Sequence, residues 1–149
     1  MNNKIFITKS EINKKNFLNL YYEYISELNE KKSINSEFKK KLKIKLSKKK
    51  NLKIFIIKYG NVEIGILNIN FSYNILSKKV CYINDFYIKK NFRKKNLAKK
   101  TMTKFIKSLK IKSIKELRLE IINKNELAYN FWKKFKLIKK STNYSIKIK

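Results

Sequence analysis

The stretch that decides the fold is KVCYINDFYIKKNFRKKNLAKKTMTKFIKSLK, residues 79–110. Its first part, residues 79–89, is rich in β-branched and aromatic side chains and predicts a strand. From Asn96 to Lys110 the apolar side chains recur at spacings of three and four, which predicts an amphipathic helix with lysines on its outer face. A strand followed within a few residues by a helix predicts a crossover to a further strand.

The flanking sequence completes that crossover and adds an antiparallel part to the sheet. Residues 115–122 predict a strand parallel to 79–89, joined to it by a right-handed connection. Residues 51–75 predict a β-hairpin that turns at Gly60-Asn61, a pair that readily takes positive φ. The further predicted elements are a strand over 3–8, helices over 11–30, 36–47 and 125–135, and a closing pair of short strands in 137–149.

The predicted order is therefore β-α-α-β-β-β-α-β-α-β-β. This order indicates an α/β (α+β) fold in which helices flank a central mixed sheet, within a single domain over residues 1–149. A ligand is expected at the carboxyl end of strand 79–89, where open sheets of this kind bind their ligands.

Composition excludes several classes of site. The 149 residues include no histidine and one cysteine, so Cys/His metal sites, Ser-His-Asp triads and Cys-His dyads are excluded, and no metal is expected. Apolar runs are too short to span a bilayer, and the first residues lack the apolar core of a signal peptide. These features predict a cytoplasmic protein with no membrane partner.

The net charge of +29 has two interpretations. It could indicate a nucleic-acid-binding module. Alternatively, drift toward AT-rich codons would enrich Lys, Asn, Ile, Phe and Tyr without any partner, and the 39 basic residues include only two arginines, Arg93 and Arg118. We favour drift and expect only non-specific contact with nucleic acid. Scarce residues that survive such drift, including Gly65, Ala98, Ala128 and the only aspartate, Asp85, then become candidates for a role.

Residues 89–99 form a candidate anion site. The predicted helix after this loop presents unpaired N–H groups and a partial positive charge at its N-terminus. Residues 89–112 contain no acidic side chain, so the surrounding field is positive. Such loops are usually built on glycine, and this one has none, so a plain lysine-rich helix start remains the alternative.

Two motifs together resemble the GNAT superfamily of N-acetyltransferases. The loop Arg93-Lys94-Lys95-Asn96-Leu97-Ala98 is similar to the superfamily's R/Q-x-x-G-x-G/A pattern at its first and last positions. The superfamily's second pattern is an Asn, an Ala three residues later, a hydrophobe-Tyr pair and then Gly-Phe. The stretch 125–137 is similar to it at Asn125, Ala128 and Phe131. The strand YINDFYI, residues 82–88, resembles that of diamine-acetyltransferase-like members.

The resemblance implies an acetyl-CoA-dependent N-acetyltransferase that transfers an acetyl group to a primary amine by direct attack. Backbone N–H groups of residues 94–99 would hold the CoA pyrophosphate, with Asn96 taking the positive φ of a glycine. The pantetheine would lie along the main chain of residues 86–88 and meet Asn125. The residues implied for acetyl-CoA are Phe86, Tyr87, Ile88, Arg93, Lys94, Lys95, Asn96, Leu97, Ala98, Lys99, Asn125 and Ala128.

The proton-transfer groups depart from the superfamily's pattern. Trp132 stands where many members have a tyrosine acid, and Asn84 stands where diamine-type members have a glutamate base. Asp85 is a third catalytic candidate, although strand alternation would point it to the opposite face unless a bulge intervenes. Other groups left open are Tyr82, Tyr87, Tyr129 and a chain of waters.

These departures leave a second function open, namely a GNAT-like protein that binds acyl-CoA without catalysis. The acceptor also stays open between a small-molecule amine and a protein amine, and a homodimer is not excluded. Glu23, Glu27 and Glu30 on the first helix could make an acceptor pocket acidic, but a solvated helix face is the simpler interpretation.

Overall fold

The computed structural model describes residues 4–29, 34–76, 78–122 and 125–140. These residues form five strands, four helices and one short 3₁₀ helix at Lys90–Phe92. The strands are β1 (Ile5–Ser10), β2 (Lys53–Tyr59), β3 (Val62–Tyr73), β4 (Lys79–Ile88) and β5 (Glu116–Leu119); the helices are α1 (Lys15–Leu28), α2 (Ser36–Ser47), α3 (Leu97–Ile111) and α4 (Glu126–Lys133).

The strands form one mixed sheet in the order β1-β2-β3-β4-β5. The first three pairings are antiparallel, as the hairpin predicts, and β4 pairs in parallel with β5. The predicted crossover is confirmed, since α3 follows β4 and leads to a parallel neighbour. The α/β class with a mixed sheet flanked by helices is likewise confirmed.

A β-bulge interrupts β4 at Asn84. Asn68 of β3 pairs with Asp85, whereas the next residue, Ile69, pairs with Ile83, so Asn84 has no opposing residue. An extra residue of this kind reverses the alternation of the side chains that follow it. Strict alternation would place Asn84 and Asp85 on opposite faces, whereas the bulge places both on the face of Asn68 and Asn70.

Two apolar cores cover the two faces of the sheet. The helices α3 and α4 bury Met102, Phe105 and Trp132 against one face, together with Ile83. The helices α1 and α2 cover the other face through side chains that include Phe17 and Leu46, packed with Ile66 and Tyr87. None of the helices in the described ranges is long and apolar enough to cross a membrane.

The end of the chain departs from the prediction. Residues 137–140 form neither helix nor strand, and the rest of the predicted closing pair, residues 141–149, lies outside the described residues. The strand predicted over 115–122 is shorter, since β5 ends at Leu119. The bounds of the other elements agree with the predicted bounds to within a few residues. The largest of these differences is at α1, which begins at Lys15, four residues later than predicted.

Candidate active site

The strands β4 and β5 part at the bulge. Their pairing runs from Val80 opposite Glu116 to Ile83 opposite Leu119, and no described residue pairs with β4 on that side from Asn84 onward. The carboxyl half of β4 is therefore a free strand edge inside the sheet. Backbone groups on such an edge can bind an extended ligand in the manner of an added strand.

The loop that follows β4 presents a row of backbone donors. Lys94 has φ 59° and Asn96 has φ 60°, both in the left-handed region, and Asn96 is the N-cap of α3. Within the described chain, the backbone N–H groups of residues 94–99 have no hydrogen-bond acceptor. The first N–H group of α3 that is hydrogen-bonded is that of Lys100, which donates to the carbonyl oxygen of Asn96. The prediction of a left-handed Asn96 at the helix start is confirmed, and the exposed N–H groups make the loop suited to an anion.

Arg93 anchors the beginning of this loop. Its Nη1 and Nη2 donate to the two carboxylate oxygens of Glu27 on α1, at 2.6 and 2.8 Å. Its Nε donates to the carbonyl oxygen of Ile88 at 2.8 Å, and its guanidinium lies 5.5 Å from the centre of the Tyr87 ring. Arg93 thus joins the end of β4 to α1.

The second motif forms the start of α4. The Asn125 side chain accepts a hydrogen bond from the Ala128 N–H at 3.0 Å, as an N-cap does. Ala128 packs against the core on the α3 face of the sheet. Both residues therefore have a structural role in addition to the cofactor contact predicted for them.

Asp85 lies in a polar cluster on the α1 face. Its carboxylate accepts a hydrogen bond from Asn68 Nδ2 at 2.9 Å, and Tyr24 lies close enough to influence its pKa. Burial raises the pKa of Asp85, against the lowering effects of Asn68, the charge of Lys49 and Tyr24. A carboxylate with a raised pKa is a better proton acceptor near neutral pH.

Asn68 and Tyr24 were not among the sequence-predicted site residues. Asn68 is fully buried, and its Oδ1 has no hydrogen-bond partner among the described residues. A polar side chain within the apolar run IGILNINF was the available signal. Tyr24 carried none, because its place in the apolar row of α1 looks like that of any core residue.

The other two catalytic candidates have different surroundings. Asn84 is exposed and donates to the side chain of Asn70 at 2.9 Å. Trp132 is buried, and its ring packs against Phe86, Phe131 and Phe135 with centroids 5.0 to 6.0 Å apart. Trp132 is therefore a core aromatic on the α3 face, on the opposite side of the sheet from Asp85.

Of the tyrosines left open, Tyr87 is buried beneath α1, with its ring 5.5 Å from that of Tyr24, and burial raises its pKa. Tyr129 is about half exposed.

Two grooves lie apart from the loop. One, of about 460 Å³, lies between the end of α3 and the start of β5, at the opposite end of α3 from Asn96. The other, of about 260 Å³, lies between α1 and α2, and its lining includes Tyr21 and Lys49. Burial and the charge of Asp85 raise the pKa of Tyr21, and the charge of Lys49 acts to lower the pKa of Asp85. The second groove thus approaches the Asp85 cluster from the surface.

The described residues hold no group of three or more His, Cys, Asp and Glu side chains placed to bind a metal ion.

The fold resembles solved acetyltransferases. An aminoglycoside acetyltransferase from an uncultured soil metagenomic sample, in complex with sisomicin, is 18% identical, with 97% of each chain covered and a TM-score of 0.73. Ribosomal-protein-alanine N-acetyltransferase from Brucella melitensis biovar Abortus 2308 is 12% identical, with 97% of this chain and 100% of that chain covered and a TM-score of 0.74.

A third solved structure, AAC(6')-Iy in complex with the bisubstrate analog CoA-S-monomethyl-acetylneamine, is 13% identical, with 98% of this chain and 99% of that chain covered and a TM-score of 0.68. No curated protein matches the sequence significantly. The model of the acetyltransferase (GNAT) family matches residues 16–136. With that match over most of its length, and with this fold, the chain belongs to the GNAT family of acetyltransferases.

Proposed function

We propose that this protein is an acetyl-CoA-dependent N-acetyltransferase that acetylates a primary amine by direct attack. The observation that carries the proposal is the row of unpaired N–H groups at residues 94–99, at the start of α3 and beside the free edge of β4. Such a row, together with the partial positive charge of a helix N-terminus, suits a pyrophosphate. A structure similar in fold, AAC(6')-Iy, was solved with an analogue that contains CoA.

The pantetheine arm of acetyl-CoA would lie along residues 86–88, where β4 has no partner among the described residues on the β5 side. In this pose the thioester would lie near the bulge. The carbonyl of Ile88 already accepts from Arg93, so the arm would use the remaining backbone groups of this segment.

In the reaction the amine nitrogen attacks the thioester carbonyl carbon, the N–C bond forms and the C–S bond breaks. The sulfur leaves as a thiolate, and the nitrogen releases one proton. Asp85 is the proposed acceptor of that proton, because its raised pKa suits a base and the bulge turns it toward α1. The thiolate would take its proton from solvent, since an indole such as that of Trp132 cannot supply one.

The direct test is release of free thiol from acetyl-CoA when a panel of amines is offered to the purified protein. The panel should include aminoglycosides and peptide N-termini, because relatives of similar fold carry those activities in their names. We expect turnover with at least one amine. Binding of acetyl-CoA should also raise the melting temperature by mass action, and no stabilisation at millimolar acetyl-CoA would exclude any CoA-binding function.

One observation favours a second candidate, a protein that binds acyl-CoA without catalysis. Trp132 is packed among three phenylalanines at the position where the superfamily's tyrosine acid is expected. Binding of acetyl-CoA without thiol release for any amine would support this candidate, whereas transfer by the wild type that survives Trp132→Phe would exclude it.

The acceptor pocket is not made acidic by α1 as far as the described residues show. Glu23 pairs with Lys89 at 3.6 Å and Glu27 pairs with Arg93, while Glu30 lies outside the described residues. We therefore propose an acceptor with fewer positive charges than a polyamine. A cytoplasmic location and a homodimer stay predictions.

A further inference from the structure

We propose that Arg93 and Glu27 form a clamp that holds the glycine-free loop 94–99 in the conformation that presents its N–H groups. In this role Arg93 is a positioning residue, and its guanidinium is not a ligand of the cofactor phosphates. The inference rests on the proposed function only in taking acetyl-CoA as the ligand of the loop.

The loop needs such a device because its backbone is strained. Lys94 and Asn96 both lie in the left-handed region, at φ 59° and 60°. Side chains disfavour this region because Cβ approaches the backbone, and asparagine tolerates it better than lysine. Strained residues persist only where the surrounding structure enforces them. A loop with glycine at these positions would need less support.

Arg93 supplies that support through all three of its guanidinium nitrogens. Two of them bind the Glu27 carboxylate as a fork, and the third binds the Ile88 carbonyl. The exposed fractions of the Arg93 and Glu27 side chains are 33% and 30%, so the pair is largely sheltered from solvent. A planar fork fixes direction as well as distance, which a lysine cannot do.

The clamp also links the loop to the side of the sheet where proton transfer is proposed. Glu27 lies three residues after Tyr24 on α1, so the two are neighbours on one helical surface. Tyr24 in turn lies close enough to Asp85 to influence the pKa of that carboxyl group. A second ion pair, between Lys89 and Glu23, joins the end of β4 to the same helix.

The two roles for Arg93 make opposite predictions for Glu27→Gln. If Arg93 binds phosphate, removal of the competing carboxylate frees it and acetyl-CoA binds more tightly or equally well. If Arg93 positions the loop, the same change weakens the fork and lowers the population of the binding-competent loop, so the apparent Kd rises. We expect a rise of about tenfold, the change that corresponds to one lost hydrogen bond to a charged group.

The test is a calorimetric titration of acetyl-CoA into the wild type, Glu27→Gln and Arg93→Lys. The matched control is Glu37→Gln, which removes the same charge from an exposed pair with Lys41 on α2 and should leave the Kd unchanged. Tighter or unchanged binding by Glu27→Gln overturns the clamp. Steady-state kinetics should show the loss in the KM for acetyl-CoA more than in kcat.

Rescue by glycine separates positioning from general damage to the fold. Lys94→Gly removes the strain that the clamp opposes. Combined with Glu27→Gln in a double variant, it should therefore restore most of the affinity for acetyl-CoA that Glu27→Gln alone loses. Failure of this rescue, with both variants folded by circular dichroism, would contradict the role of strain.

A readout without ligand keeps the clamp distinct from the proposed function. In the free protein, NMR couplings and chemical shifts should report positive φ at Lys94 and Asn96 in the wild type, and loss of it in Glu27→Gln and Arg93→Gln. Retention of positive φ in both variants overturns the clamp, whether or not acetyl-CoA binds. Absence of acetyl-CoA binding by the wild type would instead overturn the proposed function alone.

Discussion

Asp85 shows how one backbone irregularity decides the chemistry of a residue. The bulge at Asn84 turns its carboxylate toward Tyr24 and Asn68 on the α1 face. Burial there raises the pKa of Asp85, so the charged form is disfavoured in the folded protein. Groups at active sites are commonly retained at such a cost to stability.

We predict that Asp85→Asn stabilises the protein at neutral pH while it lowers activity. The folded-state pKa is raised, so the contribution of Asp85 to stability is present below the ordinary aspartate pKa and is lost as the pH rises through the folded value. The melting temperature of the variant should exceed that of the wild type near neutral pH, and the two should converge at acid pH. Wild-type kcat/KM should rise with pH through the same pKa, with a loss of about 10²–10⁴-fold in the variant.

A variant that is less stable than the wild type at neutral pH would contradict the effect of burial. Glu37→Gln serves as the control, because the Glu37 carboxylate is exposed and its ion-pair partner in the described part of the chain is Lys41.

A second prediction concerns substitutions of Trp132. Because it is packed among Phe86, Phe131 and Phe135, we predict that Trp132→Phe leaves kcat within about tenfold of the wild type and costs stability through the smaller ring, on the order of 1–3 kcal/mol. Trp132→Tyr should not lower kcat further than Trp132→Phe does. A large gain for tyrosine alone would show that the thiolate lies within reach of this position and lacks a proton donor.

At the scale of elements, the close approach of β3 and β4 depends on Gly65. Gly65 pairs with Ile88, the last residue of the predicted pantetheine segment. A Cβ at this position would lie 2.1 Å from the carbonyl oxygen of Tyr87, which belongs to the backbone and cannot move aside as a side chain could. The survival of this glycine in a glycine-poor chain thus has a steric reason.

We predict that Gly65→Ala destabilises the protein by about 1–3 kcal/mol, the usual cost of overpacking. For a chain of this length that corresponds to a fall of roughly 2–4 °C in melting temperature per kcal/mol. The affinity for acetyl-CoA should fall as well, because the end of β4 must shift. Val62→Ala, at an exposed position of the same strand, is the control and should change both quantities little. A melting temperature unchanged in Gly65→Ala would contradict the contact.

At the scale of the whole molecule, the net charge of +29 stays open between codon drift, which we favour, and a nucleic-acid-binding role. In the described residues the basic side chains occur on all four helices and on every strand except β3, and most of their contacts are with backbone, rings or the few acids. A protein this basic attracts any polyanion through counterion release.

We predict that DNA binding is non-specific and sensitive to salt. Two unrelated duplexes of equal length should bind with equal affinity within about twofold, and the affinity should fall steeply between 50 and 200 mM salt, by about 10³-fold or more if several phosphates are contacted. Fluorescence anisotropy measures both. A clear preference for one duplex at physiological salt would favour the nucleic-acid-binding alternative.

The sequence alone determined the order of elements from β1 to α4, the parallel crossover and the place of the loop. Periodicity and turn residues are local signals, so β4, α3 and the hairpin at Gly60-Asn61 could be predicted from side chains a few positions apart. The tolerance of asparagine for positive φ is also local, which is why the conformation of Asn96 could be predicted without a structure.

Only the tertiary structure decided which side chains meet. The bulge at Asn84 depends on how β3 pairs with β4, and Asn68 and Asp85 are 17 positions apart. The Arg93–Glu27 fork joins residues 66 positions apart, on a loop and a helix that no pattern relates. Contacts at such separations arise from the packing of whole elements, because no local preference brings those chain positions together. The loop could therefore be located in the sequence, but what supports it could be found only in the folded molecule.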